Sequence, residues 1–367
     1  MQTKADLNEI FKMMIDKDAS DTFIKGDSPI RMRIYAEIRV VKEKGYTKKE
    51  VAELISNIAG QRDREELEKR KNCEFAICYE DRWRFRVAVF YEKDNFVLVI
   101  RKVDLTSLTF DELNLPVKPL ERLCKEKRGM ILVTGMAGSG KSTTIASMIE
   151  YINANFGKHI ITVEEPIEFI FKEKKSIIDQ RSIGNDVLTY ADAIRQSVVH
   201  SPDVIYVTTI RDRATCYAAL SAAETGVLVV STVHSVNALS TIERIINFFP
   251  NDEHNFVLSQ LSELLKGVIS LRLLPRSDKE GLIPAYETMT LSPTISALIR
   301  ENKLWEIPKC IVESDIFDMQ SFNQCLWDLI QSKKVTKETA LDYSDEKKEL
   351  ILLMNKIKDN TGKGGGA

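Results

Sequence analysis

The chain has 367 residues, of which 44% are hydrophobic and 29% are charged, a composition typical of soluble globular proteins. One hydrophobic core rarely organises more than about 250–300 residues, so this length predicts two or three domains. The formal net charge of −2 gives no general attraction to nucleic acid or to anionic membranes. No apolar run reaches the roughly 18 to 20 residues of a membrane span, and the N-terminus lacks a signal-peptide core. These features predict a cytoplasmic protein that does not bind nucleic acid.

Residues 1–103 mix helical and strand patterns, which predicts a small α+β domain. The chain opens with apolar residues at helical spacing, and we favour a helix packed on a core over a helix lying on a membrane. These residues are Leu7, Ile10, Phe11, Met14 and Ile15. Predicted strands then cover 22–25, 31–41, 73–79, 83–91 and 96–103, and predicted helices cover 48–58 and 62–70.

The remainder of the chain alternates helices with short apolar strands. Residues 104–117 are a predicted linker, and residues 118–290 form a predicted second domain. Because its strands are apolar throughout and separated by helices, a parallel sheet covered on both faces is predicted. Its predicted strands cover 130–134, 159–163, 204–207, 227–232 and 267–274. Residues 291–358 are predicted to be helical, and the glycine-rich residues 359–367 a disordered tail.

The six cysteines are predicted to be free thiols, because they form no C-x-x-C pairs and the predicted compartment is reducing. Cys73 and Cys78 are five residues apart on a predicted strand, so their side chains should point to opposite faces. The others are Cys124, Cys216, Cys310 and Cys325.

One stretch carries a strong chemical signal. Residues 135–142 read Gly-x-x-x-x-Gly-Lys-Ser after an apolar run and before a helical pattern, which is the context of a phosphate-binding loop. Glycines let backbone N–H groups turn toward an anion, and the helix N-terminus adds positive charge. Lys141 is predicted to reach the β/γ-phosphates of ATP, and the Ser142 hydroxyl to bind Mg²⁺. A glycine-rich turn with a chance Lys-Ser pair is the alternative. The predicted nucleotide-binding residues are Gly135, Ala137, Gly138, Ser139, Gly140, Lys141, Ser142 and Thr143.

Ligands of such sheets bind at the carboxyl ends of the strands, so the residues that end each strand are candidates. Glu164 and Glu165 end the second predicted strand, where carboxylates orient attacking water or hold Mg²⁺ through its waters. An acidic surface loop is the alternative. His234 follows the fourth strand and could hydrogen-bond a γ-phosphate, or be purely structural.

The third predicted strand departs from the usual pattern. It ends in Thr208 and Thr209, where phosphate-loop ATPases normally place a carboxylate. A hydroxyl is not a general base near neutral pH. The sequence therefore predicts sound nucleotide binding with weakened hydrolysis.

Together these segments resemble the secretion ATPase superfamily, the GspE-like proteins that power type II secretion and type IV pili. Over residues 5–350 the chain is similar to the pilus-retraction, or twitching-motility, ATPases of the PilT and PilU type, and segments 248–250 and 340–356 are more similar to PilU. Residues 161–169 resemble the family's Asp box, 201–212 its Walker B region, and 222–234 its His box. Further similar segments are 19–21, 84–87, 243–250, 297–300 and 319–322.

The resemblance implies a PAS-like N-terminal domain, a RecA-like ATPase domain and C-terminal helices. It implies a homo-hexameric ring with ATP and Mg²⁺ between the ATPase domain of one subunit and the N-terminal domain of its neighbour. Arg86 and Arg101 would then be arginine fingers, although each could equally be a solvated strand residue. The implied partners are a platform protein of the inner membrane, which would hold the cytoplasmic ring peripherally there, and an active retraction ATPase.

Four positions depart from the family pattern. Thr209 stands at the Walker B glutamate, Thr208 at the preceding glycine, Ala88 at an asparagine and Val227 at a histidine. Two functions remain open: a retraction motor subunit with weak ATP hydrolysis, or a non-hydrolysing accessory ring stacked on an active retraction ATPase. A nucleic-acid translocase and a small-molecule kinase explain fewer of the motifs.

Overall fold

The computed structural model describes residues 2–35, 37–80, 83–104, 109–314 and 318–361, and these fall into two compact units. The first unit lies within Met1–Thr106 and also takes in Glu165–Ile170. The second lies within Ser107–Glu164 and Phe171–Ala367. The domain boundaries drawn from the sequence stay a prediction.

Within the described residues, the first unit forms a six-stranded antiparallel sheet with three helices. Its strands lie in the order β3-β2-β1-β6-β5-β4. The elements in chain order are α1 (Gln2–Asp16), β1 (Ala19–Lys25), β2 (Ile30–Ile34), β3 (Glu37–Lys42), α2 (Lys48–Ile58), α3 (Gln61–Arg70), β4 (Asn72–Tyr79), β5 (Trp83–Glu92) and β6 (Asn95–Asp104).

Alternation along the strands gives this sheet one buried and one open face. Phe85 and Val87 on β5 are fully buried, and Phe11 of α1 stacks on Phe85 with ring centroids 4.0 Å apart. The apolar stripe of α1 is therefore a core face, as predicted. Because side chains alternate, Arg86 of β5 and Arg101 of β6 lie on the opposite face.

The single strand predicted over 31–41 is wrong. The segment folds as two antiparallel strands, β2 and β3, in which Ile34 faces Glu37. Tyr35 turns the chain with a positive φ of 48°, an unusual conformation for a non-glycine residue. The apolar alternation continues through this turn in the sequence, yet Ile38 is 52% exposed, so alternation alone concealed the hairpin.

The second unit contains the phosphate-loop segment and the C-terminal helices. Its elements are α4 (Val117–Cys124), β7 (Gly129–Gly135), α5 (Lys141–Asn155), β8 (His159–Glu164), β9 (Ile177–Ser182), α6 (Tyr190–Val198), β10 (Val204–Val207), α7 (Arg213–Glu224), β11 (Leu228–Val233), α8 (Ala238–Ile246), α9 (His254–Leu264), β12 (Leu265–Pro275), β13 (Leu282–Thr290), α10 (Pro293–Arg300), α11 (Ile307–Glu313), α12 (Phe322–Gln331), α13 (Lys337–Tyr343) and α14 (Lys347–Thr361).

The sheet of this unit has the order β13-β12-β7-β11-β10-β8-β9. Six of its strands run parallel, with the phosphate-loop strand β7 between β11 and β12. The predicted parallel sheet is confirmed for its five predicted strands, whereas β13, which was not predicted, pairs antiparallel with β12 at one edge. The sequence reading also missed β9, a short strand rich in polar residues. Strands β7, β10 and β11 are buried along their whole length.

Helix α14 is the last element of the described residues and continues through Thr361. The helix therefore extends into the first three residues of the predicted disordered tail, 359–367, which stays a prediction. No glycine interrupts the helix before Gly362, and the rest of the predicted tail lies outside the described residues. Within the described ranges, no helix combines the length and apolar character needed to cross a membrane.

All six cysteines lie among the described residues and are unpaired, as predicted. Cys73 is buried and Cys78 is exposed, so the two thiols do point to opposite faces of β4. Burial raises the pKa of Cys73 to about 11, which keeps this thiol protonated and unreactive.

Candidate functional site

The loop between β7 and α5 has the backbone shape that its glycines allow. Gly138 and Gly140 have φ values of +77° and +95°, and open space lies where a Cβ would stand. Gly135 has φ +146°, and a Cβ there would lie 2.5 Å from the carbonyl oxygen of Leu271. Side chains are disfavoured at all three positions. The loop therefore presents backbone rather than side chains at the N-terminus of α5.

Lys141 is the first residue of α5 and is 8% exposed. Its ammonium group donates hydrogen bonds to the carbonyl oxygens of Gly135, at 2.9 Å, and Met136, at 2.8 Å. Ser139 is 6% exposed, and among the described residues its Oγ has no hydrogen-bond partner. A buried cation, an unsatisfied hydroxyl and a helix N-terminus at one loop fit a phosphate group.

The ends of β7 and β11 are tied together beside this loop. The Thr134 hydroxyl donates to the carbonyl oxygen of Ser235, at 2.8 Å, and the Ser235 hydroxyl lies 2.7 Å from that of Thr241 on α8. His234, adjacent to this link, is exposed. Although the residue is exposed overall, partial burial of its ring lowers the pKa of His234, and the positive charges of Lys141 and Arg244 lower it further. His234 is therefore a neutral hydrogen-bonding group near pH 7.

Glu164 ends β8 with a buried carboxylate, only 2% exposed. Its Oε1 accepts hydrogen bonds from the Thr162 hydroxyl at 2.8 Å and from Nε2 of Gln180 on β9 at 3.0 Å. These donors fix the carboxylate at the carboxyl edge of the sheet. Glu165, by contrast, is exposed and belongs to the first unit.

Thr208 and Thr209 follow β10, which lies between β8 and β11. The Thr208 hydroxyl donates to the carbonyl of Val163 at 3.2 Å, and the Thr232 hydroxyl donates to the carbonyl of Thr208 at 2.7 Å. Thr209 Oγ1 is buried and has no hydrogen-bond partner among the described residues. A buried hydroxyl without a partner costs about 1–3 kcal/mol, a cost that a bound water would relieve.

The donor set suits Mg²⁺ that arrives with a nucleotide. In the part of the chain that is described, no group of three or more His, Cys, Asp or Glu side chains is placed to hold a metal ion. Mg²⁺ usually keeps several waters and takes few protein ligands beside substrate phosphates. Ser142, in the first turn of α5, is the side chain that would hold such an ion, and the Glu164 carboxylate would contact its waters.

The two predicted arginine fingers lie in the first unit. Arg86 forms hydrogen bonds with Glu74 and Glu168, and Arg101 with Asp21. Arg86 is mostly shielded, whereas the Arg101 side chain is 61% exposed. Their assignment to the nucleotide stays a prediction.

Several residues that shape these sites were not found from the sequence. Gln180, Glu74 and Glu168 contact their targets across strand pairings or loops, which no local pattern encodes. Glu287 of β13 is a buried carboxylate that accepts a hydrogen bond from the backbone N–H of Ala238 at 2.7 Å and so caps α8. A charged residue within an apolar strand was the available signal for Glu287, because such residues are rarely buried without a partner.

Comparisons with known proteins agree over nearly the whole chain. A family model described as type II/IV secretion system protein matches residues 2–313. The type IV pilus ATPase PilU of Pseudomonas aeruginosa is 33% identical over 349 residues, covering 95% of this chain and 91% of that protein. The type IV pilus retraction ATPase PilT of the same organism is 34% identical over 335 residues, covering 91% and 97%.

The crystal structure of the pilus retraction motor PilT with bound ADP matches with a TM-score of 0.85 and 39% identity, covering 94% of this chain and 98% of that one. The predicted fold class is thereby confirmed: a PAS-like α+β domain, a RecA-like α/β ATPase domain and a helical C-terminal region. This chain belongs to the type II/IV secretion ATPase family, among the pilus-retraction ATPases of the PilT and PilU type.

Proposed function

We propose that this chain is the ATP-binding subunit of a homo-hexameric ring that drives type IV pilus retraction, with weak intrinsic ATP hydrolysis. The observation that carries the proposal is the loop at residues 135–142, whose glycine conformations and buried Lys141 form a phosphate cradle. Its support comes from the similarity to PilT and PilU along nearly the whole chain.

In this proposal each residue of the cradle has one task. Backbone N–H groups of residues 135–143 and the N-terminus of α5 bind the phosphates. Lys141 gives up its two carbonyl contacts and donates to the β/γ-phosphates, while Ser142 would hold Mg²⁺, which when bound would supply positive charge to the phosphates. His234, kept neutral, donates a hydrogen bond toward the γ-phosphate. Glu164 orients the attacking water.

Hydrolysis is weak because Thr209 stands where a carboxylate would act. Losing one well-placed catalytic group costs on the order of 10² to 10⁴ in rate. The Thr209 hydroxyl can hold a water but cannot take its proton near neutral pH. Glu164 recovers part of this loss, since it lies at the end of the neighbouring strand.

The ring places residues of two subunits at each nucleotide. Arg86 and Arg101 of one subunit meet the ATP held by its neighbour, where guanidinium groups stabilise charge on the transferring phosphate. Movement between the two domains then turns a platform protein of the inner membrane, so the ring works at the cytoplasmic face of that membrane.

A second function is favoured by the paired threonines. Thr208 and Thr209 together replace a glycine and a glutamate of the family pattern, which suggests a site that has lost hydrolysis altogether. The ring would then bind ATP without turnover and stack on an active retraction ATPase as an accessory.

One experiment separates these functions. The ATPase rate of the purified protein is measured with and without a candidate partner ATPase, and normalised to the occupancy of a fluorescent ATP analogue. Lys141→Ala should abolish analogue binding, whereas Lys125→Ala, which removes an exposed lysine beyond α4, should bind normally.

A slow but measurable rate that Lys141→Ala removes supports the motor subunit. Binding without turnover, alone or with the partner, supports the accessory ring. Equal analogue binding by Lys141→Ala and wild type would contradict the site itself, because nothing else in the loop replaces that charge.

A further inference from the structure

A row of charged side chains crosses the open face of the first unit's sheet. The strand register places Arg86 directly opposite Arg101, Arg101 opposite Asp21, and Asp21 opposite Arg33. Glu74 of β4 lies diagonally beside Arg86, whose direct partner on that strand is Ala76. Residues directly opposite one another interact strongly, so this row is one electrostatic unit.

The adjacent guanidinium groups in the row repel each other, since like charges directly opposite are destabilising. Each arginine also contacts a carboxylate on the neighbouring strand that lies away from the other arginine: Glu74 for Arg86 and Asp21 for Arg101. Arg101 Nε donates to Asp21 Oδ1 at 2.8 Å, and Asp21 is only 5% exposed. Arg86 has two carboxylates, and they contact different edges of the guanidinium group.

Glu74 binds Arg86 with both of its oxygens. Arg86 Nε lies 2.6 Å from Glu74 Oε1 and Nη2 lies 2.7 Å from Oε2. This bidentate arrangement is the strongest and most directional that Arg and a carboxylate make. Burial acts to lower the pKa of Arg86, and the contacts with Glu74 and Glu168 outweigh it and raise the pKa. Arg86 is therefore a permanently charged group of fixed orientation.

Glu168 contacts the remaining edge of the guanidinium group. Arg86 Nη1 donates to Glu168 Oε1 at 3.0 Å. Glu74 is held by a strand paired along its length with β5, but Glu168 lies in a segment, 165–170, without helix or strand. Of the two carboxylates that contact Arg86, Glu168 at Nη1 is therefore the one whose backbone has no strand pairing to hold it.

We infer that Glu74 is a positioning residue that aims Arg86, and that Glu168 occupies the guanidinium edge that a terminal phosphate takes over. The inference rests on the proposed function, in which Arg86 meets the ATP of a neighbouring subunit. A phosphate oxygen replaces Glu168 at Nη1, while Glu74 keeps its two bonds. The two carboxylates on one arginine therefore act in opposite directions: removing Glu74 weakens recognition of the γ-phosphate, and removing Glu168 strengthens it.

The test compares binding of a non-hydrolysable ATP analogue with binding of ADP by the assembled ring, so it does not depend on turnover. Glu74→Gln should lower the preference for the analogue over ADP about tenfold, the size of one hydrogen bond to a charged group. Glu168→Gln should raise that preference roughly threefold, the effect expected of a partly exposed ion pair. ADP affinity should stay unchanged in both variants.

Glu92→Gln is the matched control. Glu92 lies on the same strand as Arg86 and pairs with Lys25. The substitution therefore removes a carboxylate from the same sheet but leaves the contacts of Arg86 in place. Its analogue-to-ADP preference should equal that of wild type. Glu74→Asp keeps a carboxylate on a shorter stem and should recover part of the preference lost in Glu74→Gln.

The outcomes separate the inference from the function on which it rests. If wild type binds the analogue but Glu74→Gln keeps its preference, or loses analogue and ADP binding equally, Glu74 does not aim Arg86. Weaker analogue binding by Glu168→Gln would show that Glu168 contributes to the site and does not compete for it. A wild-type ring that binds neither nucleotide would overturn the proposed function, and the inference with it.

Discussion

In the proposed function, Thr209 would determine whether the nucleotide site can activate water. Its buried hydroxyl has no partner among the described residues, and it follows a strand that lies between those ending at Glu164 and Val233. The position is suited to holding a water, but the hydroxyl cannot act as a base near neutral pH.

Restoring the carboxylate tests this reading. Thr209→Glu should raise ATP turnover by about tenfold, equivalent to about 1.4 kcal/mol of barrier, because Lys141, Ser142 and Glu164 remain in place. Steady-state ATPase rates of the ring measure the effect. Ser259→Glu, which adds the same charge at an exposed position of α9, should leave the rate unchanged.

An unchanged rate in Thr209→Glu, together with weaker ATP binding, would mean that the other departures, Thr208, Ala88 and Val227, prevent the restored carboxylate from acting on water. A wild type already as fast as an intact retraction ATPase would show that Thr209 has no catalytic consequence.

At this scale the sequence predicted the contiguous residues of the cradle and not their partners. Residues 135–142 form a local motif whose conformation depends on glycines that can be read directly. The contacts of Arg86 with Glu74 and Glu168 depend on strand register and on a loop, and those of Glu164 with Gln180 depend on a strand that the sequence reading missed. The sequence therefore predicted the phosphate-binding residues, but it did not predict the charged and polar side chains that contact Arg86 and Glu164.

Among the elements, β9 shows why an edge strand escapes sequence analysis. Its polar side chains have neither the apolar run nor the alternation of a buried strand, yet each finds a partner. Gln180 contacts Glu164, Arg181 contacts Gln196, and Asp179 lies 2.8 Å from Nε2 of His159 on β8. Polar contacts with its neighbours, and not apolar burial alone, hold this strand to the sheet.

The contact between His159 and Asp179 makes β9 sensitive to pH. The hydrogen bond to Asp179 raises the pKa of His159, against the smaller lowering effect of burial. A raised histidine pKa contributes stability that is fully present below the unfolded value, about 6.5, and is lost as pH rises through the folded value. His159→Gln should therefore lower the free energy of unfolding, measured by urea denaturation at pH 5.5, by a few tenths to about 1 kcal/mol, and have little effect at pH 9.

Asp179→Asn provides the matched comparison for this prediction. It should reproduce the loss at pH 5.5, and the double variant should lose no more than either single one. A loss of equal size at both pH values would indicate a packing effect of the histidine ring rather than its charge.

The central strands were predicted well, since buried parallel strands leave continuous apolar runs. The errors lie at the sheet margins. β13 was missed, and β2 and β3 were read as one strand because Tyr35 supplies a turn that no glycine or proline announces. Edge strands and hairpins have weak local sequence patterns, so their formation depends mainly on contacts with residues distant in the sequence.

On the scale of the whole molecule, the family resemblance predicts a ring that a single chain does not contain. We expect six copies of the 41.8 kDa chain to assemble, at high concentration or with nucleotide, because in the proposed function Arg86 and Arg101 would complete a site held by another copy. Multi-angle light scattering with ATP analogue, with ADP and without nucleotide measures the mass. A monomer under every condition would contradict the ring and the arginine assignment together.

The contacts of Lys141 in the loop also have a thermodynamic consequence. Its ammonium group already donates to the carbonyl oxygens of Gly135 and Met136, so in the proposed function ATP binding would exchange these bonds for bonds to phosphate. The binding enthalpy at this loop is then a difference between two sets of charge-assisted hydrogen bonds, smaller than a count of phosphate contacts suggests. In the proposed function the same exchange would release two carbonyl groups, so the heat of ATP binding measured by calorimetry would include the loss of these two contacts within the loop.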